Sequence, residues 1–130
     1  MPQQLATVAL VVADYDEAIA FYCGKLGFGL AADTDLGGGK RWVRVRPPSE
    51  GGAALLLARA DGERQRAAIG GQTGGRVGFF LETDDFARDF ADFAARGVHF
   101  LEAPRHEAYG TVAVFEDLYG NKWDLIEPRK

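Results

Sequence analysis

The sequence predicts an α+β fold in which two βαβββ modules form curved mixed sheets around a cavity. Three observations support this prediction. An apolar, β-branched segment near the start of the chain runs into an acidic helix cap, and the same arrangement returns 71 residues later. Strand-length apolar segments, separated by turn residues, then follow each helix. With 130 residues, 47% of them hydrophobic, the chain accommodates one domain with a substantial core.

The first module opens with a strand and a capped helix. Residues 6–12 are small, apolar and β-branched, which is typical of a strand buried on both faces. Asp14 and Glu17 have the spacing of a capping box, so a helix is predicted to begin there and to end at Gly24 or Gly27. Three strands are then predicted at residues 28–32, 41–45 and 53–58.

The second module repeats this plan. A strand is predicted at residues 77–83, followed by a helix that Asp84 or Asp85 caps and Gly97 ends. An offset of 71 residues superposes the two helix caps and the apolar faces of the two helices. Three further strands are predicted at residues 100–103, 111–115 and 122–126.

These elements predict a single domain over residues 1–130 that consists of two modules and a connector. The first module covers residues 5–58 and the second covers residues 76–127. The connector, residues 59–75, is polar and rich in glycine, so we interpret it as a linker or as a mobile flap over the cavity.

Alternation along the strands assigns side chains to one face or the other. Trp42 and Arg44 alternate with Val43 and Val45. If the valines pack under the helix, Trp42 and Arg44 line the cavity, where they suit a flat ring and a carboxylate or phosphate. The opposite register would place both at the surface or in a dimer contact, because short strands slip by one residue easily. Small residues on the inward face are expected to leave room for a ligand: Ala9, Ala54, Ala58 and Gly78.

Composition argues against several partners and compartments. Fifteen basic and nineteen acidic residues give a net charge of −4, whereas a nucleic-acid-binding domain carries a basic stripe. The apolar segment at residues 8–13 is too short to span a bilayer, so no membrane association is predicted. A single cysteine, Cys23, and an N-terminus without signal-peptide features predict a cytoplasmic protein.

Two groups of motifs resemble the vicinal oxygen chelate superfamily. The first comprises Val-Ala-Asp at 12–14, Phe-Tyr at 21–22 and Leu-Gly-Phe at 26–28, and the second is the segment FEDLYGNKWDL at 115–125. This superfamily includes glyoxalase I, extradiol dioxygenases, fosfomycin-resistance enzymes and bleomycin-binding proteins. The resemblance implies the glyoxalase/bleomycin resistance/dihydroxybiphenyl dioxygenase-like fold and a homodimer.

The resemblance also implies where a metal would bind. In metal-dependent members the ligands come from the first and last strands of each module, which correspond here to Thr7, Leu56, Gly78 and Asp124. Only Asp124 is an ordinary ligand for a divalent cation. We therefore expect no metal and no other cofactor, with a divalent cation as the alternative. The resemblance then favours a metal-independent protein that binds a small molecule, similar to bleomycin-binding proteins.

The candidate site residues follow from these assignments. Asp124 is predicted to be a hydrogen-bond acceptor or a general base, and Glu82 a second cavity acid on the same face as Gly78. Tyr109 lies in a loop that is expected to border the pocket. The predicted ligand-binding residues are Thr7, Trp42, Arg44, Leu56, Gly78, Phe80, Tyr109 and Asp124.

Three alternatives remain open at the level of sequence. One is an enzyme, either metal-free with Asp124 and Glu82 as acid and base, or a glyoxalase-like lyase, isomerase or dioxygenase relative with a non-standard site. Another is a ligand sensor or structural subunit, with the cavity filled by Leu56, Phe80, Trp42 and Ile126. The third is an unconventional cation site formed by His99, Glu102, His106 and Glu107.

Overall fold

A computed structural model describes residues 2–49 and 51–130, and the chain divides into two compact units. The first unit ends at Gly70 and the second begins at Gly71. The first unit contains β1 (Thr7–Val12), α1 (Tyr15–Ile19) with a π-helical continuation (Ala20–Lys25), β2 (Gly29–Gly37), β3 (Lys40–Arg46), β4 (Ala54–Arg59) and α2 (Glu63–Ala68). The second contains β5 (Val77–Glu82), α3 (Phe86–Ala95), β6 (His99–Phe100), β7 (Arg105–Glu107), β8 (Gly110–Glu116) and β9 (Lys122–Pro128).

The first unit has a four-stranded mixed sheet in the order β1-β4-β3-β2. Strands β1 and β4 are parallel, and the other neighbours are antiparallel. Helix α1 begins as predicted, because Asp14 Oδ2 accepts a hydrogen bond from the amide of Glu17 at 2.8 Å. The core of this unit includes Leu10, Val12, Tyr22, Val43, Val45 and Leu57.

The second unit has a mixed sheet in the order β5-β9-β8-β6, with β7 also paired to β8. Strands β5 and β9 are parallel. Asp85 is the helix cap, because its Oδ1 accepts from the amide of Arg88 at 3.0 Å. Aromatic rings fill the space under α3: Phe79 stacks on Trp123 at 4.7 Å, Trp123 on Phe115 at 5.8 Å, and Phe93 meets Phe115 edge-on at 5.6 Å.

These observations confirm the α+β class with two mixed sheets. Among the helices that the structure describes, none is long and apolar enough to cross a membrane.

Four details of the predicted elements were wrong. Strand β1 is not buried on both faces, since Ala9 is exposed and Val8 is 37% exposed. The polar connector contains α2, because Glu63–Ala68 is a run of strong helix formers. The loop that was predicted before β8 contains β7. Strand β2 continues beyond residue 32 to Gly37, because the β2–β3 hairpin turns only at Gly38 and Gly39.

Candidate functional site

Trp42 and Arg44 lie on the open face of the first sheet, the face turned away from α1. Val43 and Val45 are fully buried, whereas Trp42 is 42% exposed and Arg44 is half-buried. Leu56, also half-buried, lies directly opposite Arg44 in the β3–β4 pairing. The structure therefore has the register in which the valines pack inward, and it brings three of the predicted site residues onto one surface.

Arg44 reaches across β4 to the edge strand β1. Its Nε donates a hydrogen bond to Thr7 Oγ1 at 3.1 Å, and its Nη2 donates to the carbonyl of Ala6 at 3.5 Å. A guanidinium cation thus holds the hydroxyl of Thr7, which is one of the four positions that the resemblance assigns to metal ligands.

Asp124 lies on the open face of the second sheet, between two neighbouring strands. It is opposite Phe80 on β5 and opposite Val114 on β8. Its Oδ1 atom is buried and has no hydrogen-bond partner within residues 2–49 and 51–130. Burial raises the pKa of the Asp124 carboxyl, Arg105 nearby opposes this shift, and Glu102 adds to it. Asp124 as a whole is half-buried, so its carboxylate is a candidate acceptor for a bound molecule.

Glu102 and Arg105 form a pair beside Asp124 that the sequence did not predict. Glu102 Oε2 accepts from Arg105 Nε at 2.8 Å and from the amide of Val114 at 3.2 Å. The Glu102 carboxylate therefore replaces a backbone carbonyl in the gap between β6 and β7. Pro104, which has no amide hydrogen, is the sequence signal that the strand is interrupted there.

Three other predicted site residues of the second unit are exposed: Phe80, Glu82 and Tyr109. Phe80 is 65% exposed, and Glu82 is exposed and opposite Ile126. Tyr109 is exposed, and its side chain interacts with Arg105.

Two of the small residues do not leave the space that we expected. A Cβ at Gly78 would collide with the methyl group of Thr73, so this side chain already fills the position above the glycine. Ala54 is only 1% exposed. The expectation that these two positions are open to a ligand was wrong, because Thr73 covers Gly78 and Ala54 is buried.

A surface depression at the β2–β3 turn is lined by none of the predicted site residues. It is lined by Asp33, Asp35, Arg41 and the glycines at 37–39. Arg41 binds Asp33 Oδ2 at 2.7 Å and Asp16 Oδ1 at 2.9 Å. Its charge is therefore compensated within the chain, and we assign no ligand to the depression.

The sequence profile of the Glyoxalase/Bleomycin resistance protein/Dioxygenase superfamily matches residues 4–125. The chain belongs to this superfamily. An uncharacterized protein of Shewanella frigidimarina (strain NCIMB 400) is 54% identical over 128 residues, which are 98% of this chain and 95% of that protein. The uncharacterized protein YetH of Bacillus subtilis (strain 168) is 30% identical over 130 residues, which are 98% and 100% of the two chains.

Two solved structures are similar over nearly the whole chain. The crystal structure of UcmS2 matches with a TM-score of 0.84 and 30% identity, covering 98% of this chain and 99% of that chain. TnmS3, an antibiotic binding protein from Streptomyces sp. CB03234, matches with a TM-score of 0.78 and 29% identity, covering 98% of each chain.

The four positions for metal ligands do not fit a divalent cation. Leu56 offers no donor atom, Thr73 lies over Gly78, and Arg44 binds Thr7. The unconventional cluster is also absent: His99 Nδ1 pairs with Glu116 at 2.8 Å, and Glu102 pairs with Arg105. Across residues 2–49 and 51–130, no group of three or more His, Cys, Asp or Glu side chains lies close enough to hold a metal ion.

Proposed function

We propose that this protein binds a small organic molecule without a metal. The observation that carries the proposal is the hydrogen bond from Arg44 Nε to Thr7 Oγ1 at 3.1 Å. A guanidinium is always charged at physiological pH, so a second cation beside Thr7 would meet a positive charge at close range. Metal-assisted chemistry also needs several fixed ligands with an open coordination position, and Asp124 alone does not supply them.

The open face of the second unit has the features of a binding surface. Phe80 presents an exposed ring directly opposite Asp124, whose Oδ1 has no partner in the described part of the chain. An apolar surface with a single oriented acceptor suits a ligand that combines a ring with a hydroxyl or amine donor. Because TnmS3 is an antibiotic binding protein, antibiotics are the first ligand class to test.

Catalysis by Asp124 and Glu82 has weaker support than binding. The strand pairing brings Phe80, and not Glu82, opposite Asp124. Glu82 is an exposed residue at the end of β5, whereas a general acid or base works best where water is excluded. We also propose that the protein is a cytoplasmic homodimer, which analytical ultracentrifugation and cell fractionation of the tagged protein would test.

Two measurements on the full chain test the proposed function. The first is the metal content by mass spectrometry after incubation with nickel, zinc, manganese or ferrous iron and desalting. We expect less than about one metal per ten chains. Metal near one per chain that is lost in Asp124→Asn would overturn metal independence.

The second measurement is a thermal-shift screen of an antibiotic panel in the presence of EDTA. A ligand that binds the native state raises the Tm. We expect Phe80→Ala and Asp124→Asn to lose most of this shift, whereas Glu82→Gln, a control on the same face of β5, keeps it. The absence of any shift across the panel, or a shift that persists in all three variants, would contradict the proposed site.

A further inference from the structure

The open face of the first unit contains a positive charge that no carboxylate of residues 2–49 and 51–130 neutralises. Arg41, Arg88 and Arg105 each form ion pairs with two carboxylates. Arg44 forms none within residues 2–49 and 51–130, and its two acceptors, Thr7 Oγ1 and the Ala6 carbonyl, are neutral.

Those two bonds also leave much of the guanidinium unused. A guanidinium carries five N–H donors, and Arg44 uses two of them. Because the side chain is half-buried rather than enclosed, the other donors are accessible to a bound molecule. The bond to Thr7 meanwhile fixes the position of the group, so little conformational entropy would be lost when it binds an anion.

Trp42 provides an aromatic surface next to this charge. It lies two residues before Arg44 on the same face of β3 and is 42% exposed. Within the described part of the chain its ring makes no stacking or cation–π contact, in contrast to Tyr15, which lies under both Arg41 and Arg59. An exposed tryptophan ring is suited to stacking with another planar ring.

We propose that Trp42 and Arg44 form a subsite for a planar aromatic group that carries a carboxylate. Trp42 stacks on the ring, and the free N–H groups of Arg44 donate to the carboxylate oxygens. A guanidinium matches a carboxylate in both charge and geometry, which accounts for the preference for an anion over a neutral amide. The inference rests on the proposed function, since it names the chemical class of a group that the first unit binds.

Isothermal titration calorimetry of the full chain with 2-naphthoate and 2-naphthamide tests this subsite. The two probes share the ring system and differ in charge. We expect 2-naphthoate to bind at least about tenfold more tightly, which corresponds to about 1.4 kcal/mol. In Arg44→Gln, which can still donate to Thr7, the preference for 2-naphthoate over 2-naphthamide should fall to about twofold or less. The control is Arg64→Gln, which makes the same charge change at an exposed position of α2 and should keep the preference.

Trp42→Ala separates the role of the ring from that of the charge. This variant should lower the affinity for 2-naphthoate and for 2-naphthamide by a similar factor. The ratio of the two affinities should therefore stay unchanged. Because Trp42 is exposed, this variant should fold, and circular dichroism would verify this. Equal affinities for the two probes, or a preference that persists in Arg44→Gln, would overturn the subsite. No binding of 2-naphthoate would overturn it too, and hits in the antibiotic panel would then show that the proposed function itself still stands.

Discussion

The amide of Val114 donates a hydrogen bond to Glu102 Oε2 at 3.2 Å, where β6 has ended and β7 has not yet begun. The same oxygen accepts from Arg105 Nε at 2.8 Å. Glu102→Ala should therefore lower the free energy of unfolding by about 1–3 kcal/mol, because it removes the acceptor of a half-buried amide. Glu107→Ala is the control, since the Glu107–Arg105 contact is longer, at 3.4 Å, and both side chains are partly exposed. Equal losses of stability in urea denaturation of the two variants would contradict this role.

The pH dependence of stability should reveal the burial of Asp124. Its pKa is raised above the ordinary value of 3.8, so the folded state binds the proton more tightly than the unfolded state. Stability therefore falls as the pH rises from about 3.8 through the raised pKa. Asp124→Asn should lose this dependence and gain stability relative to wild type as the pH rises. Urea denaturation at a series of pH values, with the exposed Asp92→Asn as the control, would measure it; a constant difference between wild type and Asp124→Asn is the contrary result.

Two adjacent aspartates at the start of α3 should differ in their importance. Asp85 accepts from the amide of Arg88 at 3.0 Å, whereas Asp84 meets only the exposed guanidinium of the same residue. Asp85→Ala should cost about 0.5–2 kcal/mol because it removes a helix cap. Asp84→Ala carries the same charge change and should cost less. Thermal or urea unfolding compares the two, and a larger loss for Asp84→Ala would refute the assignment of the cap.

Gly110 at the start of β8 should not tolerate a side chain. Its φ angle is 152°, and a Cβ there would overlap the backbone carbonyl of Glu127 on the neighbouring strand. Gly110→Ala should therefore destabilise the protein by at least about 2 kcal/mol. Gly24→Ala, where the added Cβ meets nothing within 4 Å, should have a small or favourable effect. Calorimetric melting of the two variants distinguishes these outcomes, and a stable Gly110→Ala would be inconsistent with the close approach of β8 and β9.

The sequence predicted those features that depend on local pattern. Asp14 and Asp85 are followed by helices because a carboxylate that accepts from an amide three residues later is a local arrangement. The alternation of Val43 and Val45 with Trp42 and Arg44 likewise predicted that the two pairs lie on opposite faces, and the structure decides that the valines pack inward. A pleated strand directs successive side chains to opposite sides, whichever residues lie next to it.

The features that were missed depend on contacts that no local pattern encodes or on segments of weak propensity. Nothing near Glu102 shows that it accepts from Val114, twelve residues later. Thr73 lies in the connector, and only the folded chain brings its methyl group over Gly78. Strand β7 was not predicted, because Arg105–Glu107 contains no β-branched residue and no Phe, Tyr or Trp, and it is a strand only through its pairing with β8.

The chain's two tryptophans are divided between its two units. Trp42 is 42% exposed, and Trp123 is 4% exposed within the stack of rings under α3. Their fluorescence should therefore differ, with Trp123 emitting at shorter wavelength than Trp42. A Trp42→Phe variant leaves Trp123 as the sole emitter, so its signal reports on the second unit, and the difference from wild type reports on the first. Tryptophan fluorescence of the two proteins during unfolding can therefore show whether the two units unfold together or one after the other.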